Sequence, residues 1–372
     1  MQELMNKGPD ELQAEVQQAD LCTGCGMCVG LCPYIKEMEE KVAVIERCGR
    51  SDGRCYKFCP RTPTDLAALD EFVFGARRAD PVLGSYRSLV MARAAQTTVQ
   101  SKGQYGGAVS ALLIHALKKK VIGAALLTKY SERKHVLPQP TVARTRKEVL
   151  ACTGSKYTAS PTLSLLKELI EKGERVAVVG RPCQVTAIRK MQRYDDRPDA
   201  KNIELVIGLF CLWALDYRKY SAYLGEQVEL KAIKKIDIPK NDDFIVYTNG
   251  GTARVPIDKI KSFIRPTCQV CFDVTAELAD ISIGSTEWMD DWNTMLVRSE
   301  AGAKLVEGAL KAKAIETKKF PAERESVLRE AVGNKKRRVL KELSQRGNEN
   351  APLLYLKLDE EQRKHFLEGG PK

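Results

Sequence analysis

Arg175-Val-Ala-Val-Val-Gly180-Arg-Pro-Cys183 and, after a short helical stretch, Ile203-Glu-Leu-Val-Ile-Gly-Leu-Phe-Cys211 decide the architecture of this chain. Each is a brief apolar run rich in Val or Ile that ends in a cysteine, the signature of a buried strand rather than of an amphipathic helix. Working outward, SLVMARAA (88–95) and VIGAALLT (121–128) read as strands flanking the helix GAVSALLIHALKKK (107–120), and ADISIG (279–284) reads as another strand. A helix is expected over 160–172, capped by Ser160 and ended by Gly173. Strands alternating with helices argue for an α/β core with a largely parallel sheet. The segment IKKIDIPKNDDFIVYTNGGTARVPI interrupts it as an antiparallel insertion that turns at Asn249-Gly250-Gly251. Residues 299–345 read as charged helix.

Before the first strand the texture is different. Residues 9–19 suit a short helix, and 20–62 are cysteine- and glycine-rich with little period. Thr62-Pro63 then reads as an N-cap and first helical residue, opening a helix through Phe74 that Gly75 closes. The expected organisation is a cysteine-rich domain over 1–80 and a mixed α/β domain in two parts, 85–142 and 143–320. A charged, basic helical tail over 321–372 completes it.

The 372 residues include twelve cysteines and three histidines. A disulfide scaffold is a device of small secreted domains, whereas this chain opens on a polar stretch, MQELMNKGPDELQAEV, with no apolar signal core. No uncharged run approaches the roughly 20 residues of a spanning helix. The expectation is a cytoplasmic protein, at most peripheral to a membrane complex. Reduced, clustered thiols with almost no histidine point to iron–sulfur chemistry. The formal charge of +12 is poor evidence for nucleic acid, because each cluster held by four thiolates carries about −2. Lys118-Lys119-Lys120 and Lys335-Lys336-Arg337-Arg338 are read as solvated helix ends.

Cys22-Thr-Gly-Cys25-Gly-Met-Cys28-Val-Gly-Leu-Cys32-Pro33 is C-x2-C-x2-C-x3-C-P. That pitch wraps backbone around a cubane so that three thiolates reach three irons, while the fourth cysteine serves another cluster. A second copy is altered: Cys48-Gly-Arg-Ser51-Asp52-Gly-Arg-Cys55-Tyr-Lys-Phe-Cys59-Pro60. Crossing over, one cluster takes Cys22, Cys25, Cys28 and Cys59, and the other takes Cys32, Cys48 and Cys55. Its fourth corner is filled by Asp52, which has the ligand spacing from Cys55, or is empty in a 3Fe–4S cluster; Ser51 competes. Cys183 and Cys211 at two strand ends plus Cys268-x2-Cys271 make four ligands for one centre. Spacing alone leaves open a third 4Fe–4S cluster or a structural zinc. Cys152 reads as a small buried apolar residue.

Several ordered motifs carry a resemblance. They are Gln104-Tyr105-Gly106-Gly107-Ala108-Val109-Ser110-Ala111-Leu112, Gly154-Ser155-Lys156-Tyr157, Val179-Gly180-Arg181-Pro182-Cys183-Gln184 and Gly208-Leu209-Phe210-Cys211. Cys268-Gln-Val-Cys271-Phe-Asp273 and Ala279-Asp280-Ile-Ser-Ile-Gly284 follow. From Ser85 to Gly302 the chain resembles the beta subunits of coenzyme F420 hydrogenases and dehydrogenases, with a ferredoxin module in front. The resemblance implies bound FAD, F420 as substrate, and a 4Fe–4S cluster on Cys183, Cys211, Cys268 and Cys271. It also implies a redox partner of hydrogenase, formate dehydrogenase, heterodisulfide reductase or F420H2 dehydrogenase type. The competing readings are a reductase or electron-transfer subunit using NAD(P)H, ferredoxin or another organic substrate. The residues themselves offer a flavin seat: Gln104, Tyr105, Gly106 and Gly107 before a helix bearing Ser110 free backbone N–H groups for a pyrophosphate. Gly154, Ser155, Lys156 and Tyr157 add a donor-rich loop. No Ser/His/Asp or paired-carboxylate constellation stands out as catalytic, and hydride splitting needs none.

Overall fold

The computed structural model describes residues 4, 6–195, 197–239, 243–286 and 288–367. The described residues form a central sheet of strands β1 (Ser88–Ala94), β2 (Ala124–Tyr130), β3 (Pro138–Ala143), β4 (Val176–Gly180), β5 (Ile203–Leu209), β6 (Ile281–Ser285), β7 (Asn293–Val297) and β8 (Ile315–Lys319). Their order is β8-β1-β7-β6-β5-β4-β2-β3. The four inner strands β6, β5, β4 and β2 pair in parallel. Antiparallel strands flank them on both sides. The sheet is therefore mixed, not largely parallel. β3 and β7 escaped the sequence reading, and β8 lies inside a stretch read as helix. β8 (IETKK) buries only Ile315 deeply and is an edge strand, so it carries almost no apolar signal.

Helices α1 (Leu66–Phe74), α2 (Ala108–Lys118), α3 (Arg146–Ala151), α4 (Pro182–Tyr194) and α5 (Glu300–Lys311) pack around the sheet. The cap of α1 is Asp65, which accepts from the Ala68 N–H at 2.9 Å. Thr62 instead donates its hydroxyl to the carbonyls of Tyr56 and Cys59. Ser160 caps nothing either; a 3-10 turn, Thr162–Leu165, leads into the short helix Leu166–Glu171. The insertion is antiparallel as read, with Ile233–Asp237, Phe244–Thr248 and Gly251–Val255 in one small sheet. Its residues 240–242, like 368–372 of the tail, lie outside the described residues.

The tail is built into the core. Helix α6 (Ala322–Arg346) buries Val339, Leu340 and Leu343 against Leu12, Val16, Tyr56 and Leu66 of the N-terminal region and against Val270 and Phe272. Leu356–Lys357 then pairs in parallel with Thr64–Asp65. Lys118, Lys119 and Lys120 do end α2 in solvent, but Lys335 and Lys336 are 4% and 0% exposed. The reason is helical period: both fall on the face that carries Val332, Val339, Leu340 and Leu343.

Candidate functional site

The N-terminal cysteines sit on a backbone that only small residues permit. Gly24 and Gly26 have φ of +63° and +87°, and a Cβ on either would lie 2.3 Å from a backbone oxygen, of Glu40 and Pro161 respectively. Burial first, then Cys59, Cys183 and Cys22, push the Cys25 thiol up to about 12. Burial likewise lifts Cys28 well above its ordinary value, with Cys25, Cys22, Cys59 and Cys55 adding to the shift. Burial raises Cys55 to about 12, and Cys32 and Cys48 contribute. Cys22, Cys28, Cys32, Cys55 and Cys59 all border one apolar cluster with Leu21, Ile35 and Tyr56. Asp52 and Ser51 lie exposed, and the Asp52 carboxylate pairs with Lys57 at 2.6 Å.

Cys183, Cys211, Cys268 and Cys271 line one cavity together with Arg61, Arg181, Trp213, Arg265 and Lys335. Cys183 enters from the first turn of α4, just past the carboxyl end of β4. Cys211 follows β5 and is tied by its N–H to the Val274 carbonyl at 2.8 Å, while Ala214 N–H points at the Cys268 Sγ at 3.3 Å. Among the described residues no three His, Cys, Asp or Glu side chains close on a single metal ion.

The charges around these cavities fit an anionic group. Arg61, Lys190, Arg265 and Lys335 are buried, and none of them, nor the half-buried Arg181, pairs with a carboxylate among the described residues. Lys190 on α4 donates to the carbonyls of Cys59 at 2.7 Å and Pro63 at 3.1 Å. Arg265 donates to the Cys22 carbonyl at 3.0 Å, and Lys335 to the Cys211 carbonyl at 3.0 Å. Buried cations without counter-charge are costly, so Arg61, Arg265 and Lys335 favour negative charge at the thiolates, while burial brings the Lys190 ammonium down to about 7. Burial tends to raise the Cys271 thiol, yet Arg61 and Lys335 bring it below its ordinary value.

The two loops read as a flavin seat both pack on the insertion's small sheet, the first through Asp237 and the second through Phe244, whose ring lies 5.3 Å from that of Tyr157. Gln104 Nε2 donates to Asp237 Oδ1 at 2.6 Å, and Asp237, Tyr130 and Tyr105 all bear on the Tyr157 hydroxyl, whose pKa burial raises. Tyr105 holds a left-handed φ of 56°, a strained conformation for a residue with a Cβ. A Cβ at Gly106 would lie 2.8 Å from the Ala92 carbonyl oxygen. Asn293 Oδ1 accepts from the Ala108 N–H at 3.1 Å and shares the start of α2 with the buried Ser110. Lys156 is committed locally: its ammonium donates to the carbonyls of Cys152, Thr153 and Gly154 at 2.5, 2.8 and 2.9 Å, closing the end of α3. The Tyr157 ring lies 6.2 Å from that of Trp213, which lines the Cys183 cavity. Asp237, Trp213, Asn293, Lys190 and Lys335 were missed from sequence; only Lys335 left a trace there, as a cation on the apolar face of a helix.

Cysteines gathered where parallel strands end, with buried basic side chains beside them, mark the site of this α/β fold. Comparison with known proteins narrows this. Residues 89–167 match the family model for the N-terminal part of the coenzyme F420 hydrogenase/dehydrogenase beta subunit, and residues 173–323 match the model for its C terminus. The chain is 34% identical to the beta subunit of the coenzyme F420 hydrogenase of Methanothermobacter thermautotrophicus, over 64% of this chain and 86% of that one. It is 30% identical to an F420H2 dehydrogenase subunit of Methanosarcina mazei, over 78% and 83% respectively. In the F420-reducing [NiFe] hydrogenase complex from Methanosarcina barkeri, one chain superposes with a TM-score of 0.66 at 31% identity, covering 72% of this chain and 96% of that one. The chain belongs to the family of coenzyme F420 hydrogenase/dehydrogenase beta subunits. Among the described residues no helix is long and apolar enough to cross a membrane.

Proposed function

We propose that this chain carries electrons between coenzyme F420 and a partner oxidoreductase, holding FAD and three iron–sulfur clusters. When bound, the flavin supplies two-electron exchange with the deazaflavin, and the clusters supply one-electron steps. Loops 104–107 and 154–157 would seat the flavin, with Gly106 letting the first loop pack tightly on β1 beside Ala92 and Asn293. Cys183, Cys211, Cys268 and Cys271 would hold the cluster nearest the flavin, with Trp213 between them. Cys22, Cys25, Cys28 and Cys59 would hold the next, and Cys32, Cys48, Cys55 and Asp52 the outermost.

One observation supports this order: Thr23 and Arg61 of the N-terminal module line the Cys183/Cys211/Cys268/Cys271 cavity, where Arg265 also donates to the Cys22 carbonyl at 3.0 Å. Family membership supports the oxidoreductase class. The relatives named as F420 hydrogenase and F420H2 dehydrogenase subunits support F420 as the hydride carrier and a complex as the setting. The test is anaerobic purification followed by iron, sulfide and flavin analysis and electron paramagnetic resonance. Cys183→Ser, Cys59→Ser and Cys55→Ser should each remove a different iron–sulfur signal, and reduced F420 should bleach the flavin where NADH does not. Zinc in place of iron, or bleaching by NADH alone, would overturn the proposal.

A further inference from the structure

We propose that Lys335, delivered by helix α6, is a positioning residue that raises the reduction potential of the centre on Cys183, Cys211, Cys268 and Cys271. This deepens the function proposed above and rests on those four cysteines ligating one iron–sulfur cluster. Lys335 lies beyond the segment 173–323 that matches the family, so the chain's own C-terminal extension supplies the charge.

The geometry fixes that charge in place. The Lys335 ammonium donates to the carbonyls of Cys211 at 3.0 Å and Asp273 at 3.2 Å, and so bridges the loops that carry Cys211 and Cys271. With 4% of the residue exposed, it cannot swing out to water. Its neighbour Lys336 shows the contrast: that ammonium pairs with Glu277 at 2.7 Å and is neutralised. Lys335 has no carboxylate partner among the described residues, though a neutral donor could satisfy both carbonyls. A buried ammonium is retained at such a place where it meets negative charge. Cys211 and Cys271 line the same cavity as this ammonium.

Reduction adds one electron to the centre, taking it from about −2 to about −3, with no bond made or broken. A fixed cation in a low-dielectric wall stabilises the more negative state. Arg61, Arg181 and Arg265 line the same cavity from the ferredoxin module, from the start of α4 and from the turn before Cys268. Lys335 is the one cation of this set that the tail supplies.

The experiment is a potentiometric titration of the full, cluster-loaded chain with dithionite, followed by electron paramagnetic resonance. Cys211→Ser first identifies the signal that belongs to this centre. Lys335→Gln keeps a donor for the two carbonyls and removes the charge. It should make the centre harder to reduce by about tenfold in the equilibrium, 59 mV for one electron, and Lys335→Arg should restore the wild-type midpoint. An unchanged midpoint in Lys335→Gln at full iron content overturns the proposal. Loss of this centre's iron in both Lys335 variants overturns it too, because the lysine is then a structural strap. If Cys211→Ser removes no signal, the ligand reading fails and the potential argument falls with it, a result the lysine variants do not produce.

Discussion

Asp52 is the residue on which the second N-terminal centre turns. It has the spacing of the absent cysteine, yet its carboxylate is turned toward Lys57 at 2.6 Å. If it ligates iron, Asp52→Ala should convert that centre to a three-iron form with a new oxidised signal and the loss of one iron per chain. An unchanged spectrum would leave Asp52 as the partner of Lys57 alone. A second residue-scale case lies in the interior. Arg78 is held between Asp70, at 2.5 Å, and Glu277, all three buried. Arg78→Met would strand Asp70 and leave Glu277 to Lys336 alone, a loss of about 3–5 kcal/mol. Chemical denaturation should show it as a lower midpoint with an unchanged slope.

At the scale of elements, β6 and the loop after β5 are coupled at Phe210, whose N–H donates to the Ile283 carbonyl at 3.0 Å. A Cβ on Gly284 would lie 2.1 Å from the Phe210 ring, and Phe210 immediately precedes Cys211. Gly284→Ala should therefore cost about 1–3 kcal/mol through overpacking and displace the Cys211 loop. The expected result is reduced iron at the Cys183/Cys211/Cys268/Cys271 centre with flavin content nearly intact, read from metal and flavin analysis of the same sample. Equal loss of both would mean that the whole sheet had shifted.

At the scale of the molecule, the first sixty or so residues and the last fifty share a core, with the family region between them. Helix α6 covers Val270 and Phe272 beside the Cys268–Cys271 turn and brings Lys335 to the cavity. A chain ending at residue 321 should expose that apolar surface, aggregate on expression and lose iron from the N-terminal groups as well as the third. Cluster removal should also destabilise the intact chain, because Arg61, Arg265 and Lys335 would stay buried without negative charge nearby. Apo-protein should melt below the cluster-loaded form, and added anions should narrow the gap. Equal melting temperatures would remove the charge argument.

The strand-ending cysteines, the C-x2-C-x2-C-x3-C-P run and the glycine loops were legible because their signals are local: a period, a spacing, a backbone conformation that few residues adopt. The α/β class and the insertion hairpin followed from the same signals, whereas edge strands such as β8 did not, since a short polar strand gains its pairing only from the neighbour it meets. Sequence alone determined which side chains could bind iron and where the sheet's inner strands run. Tertiary structure decided that Asp237 ties the Gln104 loop to the insertion, that Lys190 grips the carbonyls behind Cys59, and that a basic stretch expected in solvent delivers Lys335 to a thiolate cavity. Those are encounters between segments far apart in the chain, governed by burial and charge balance, which no local pattern records.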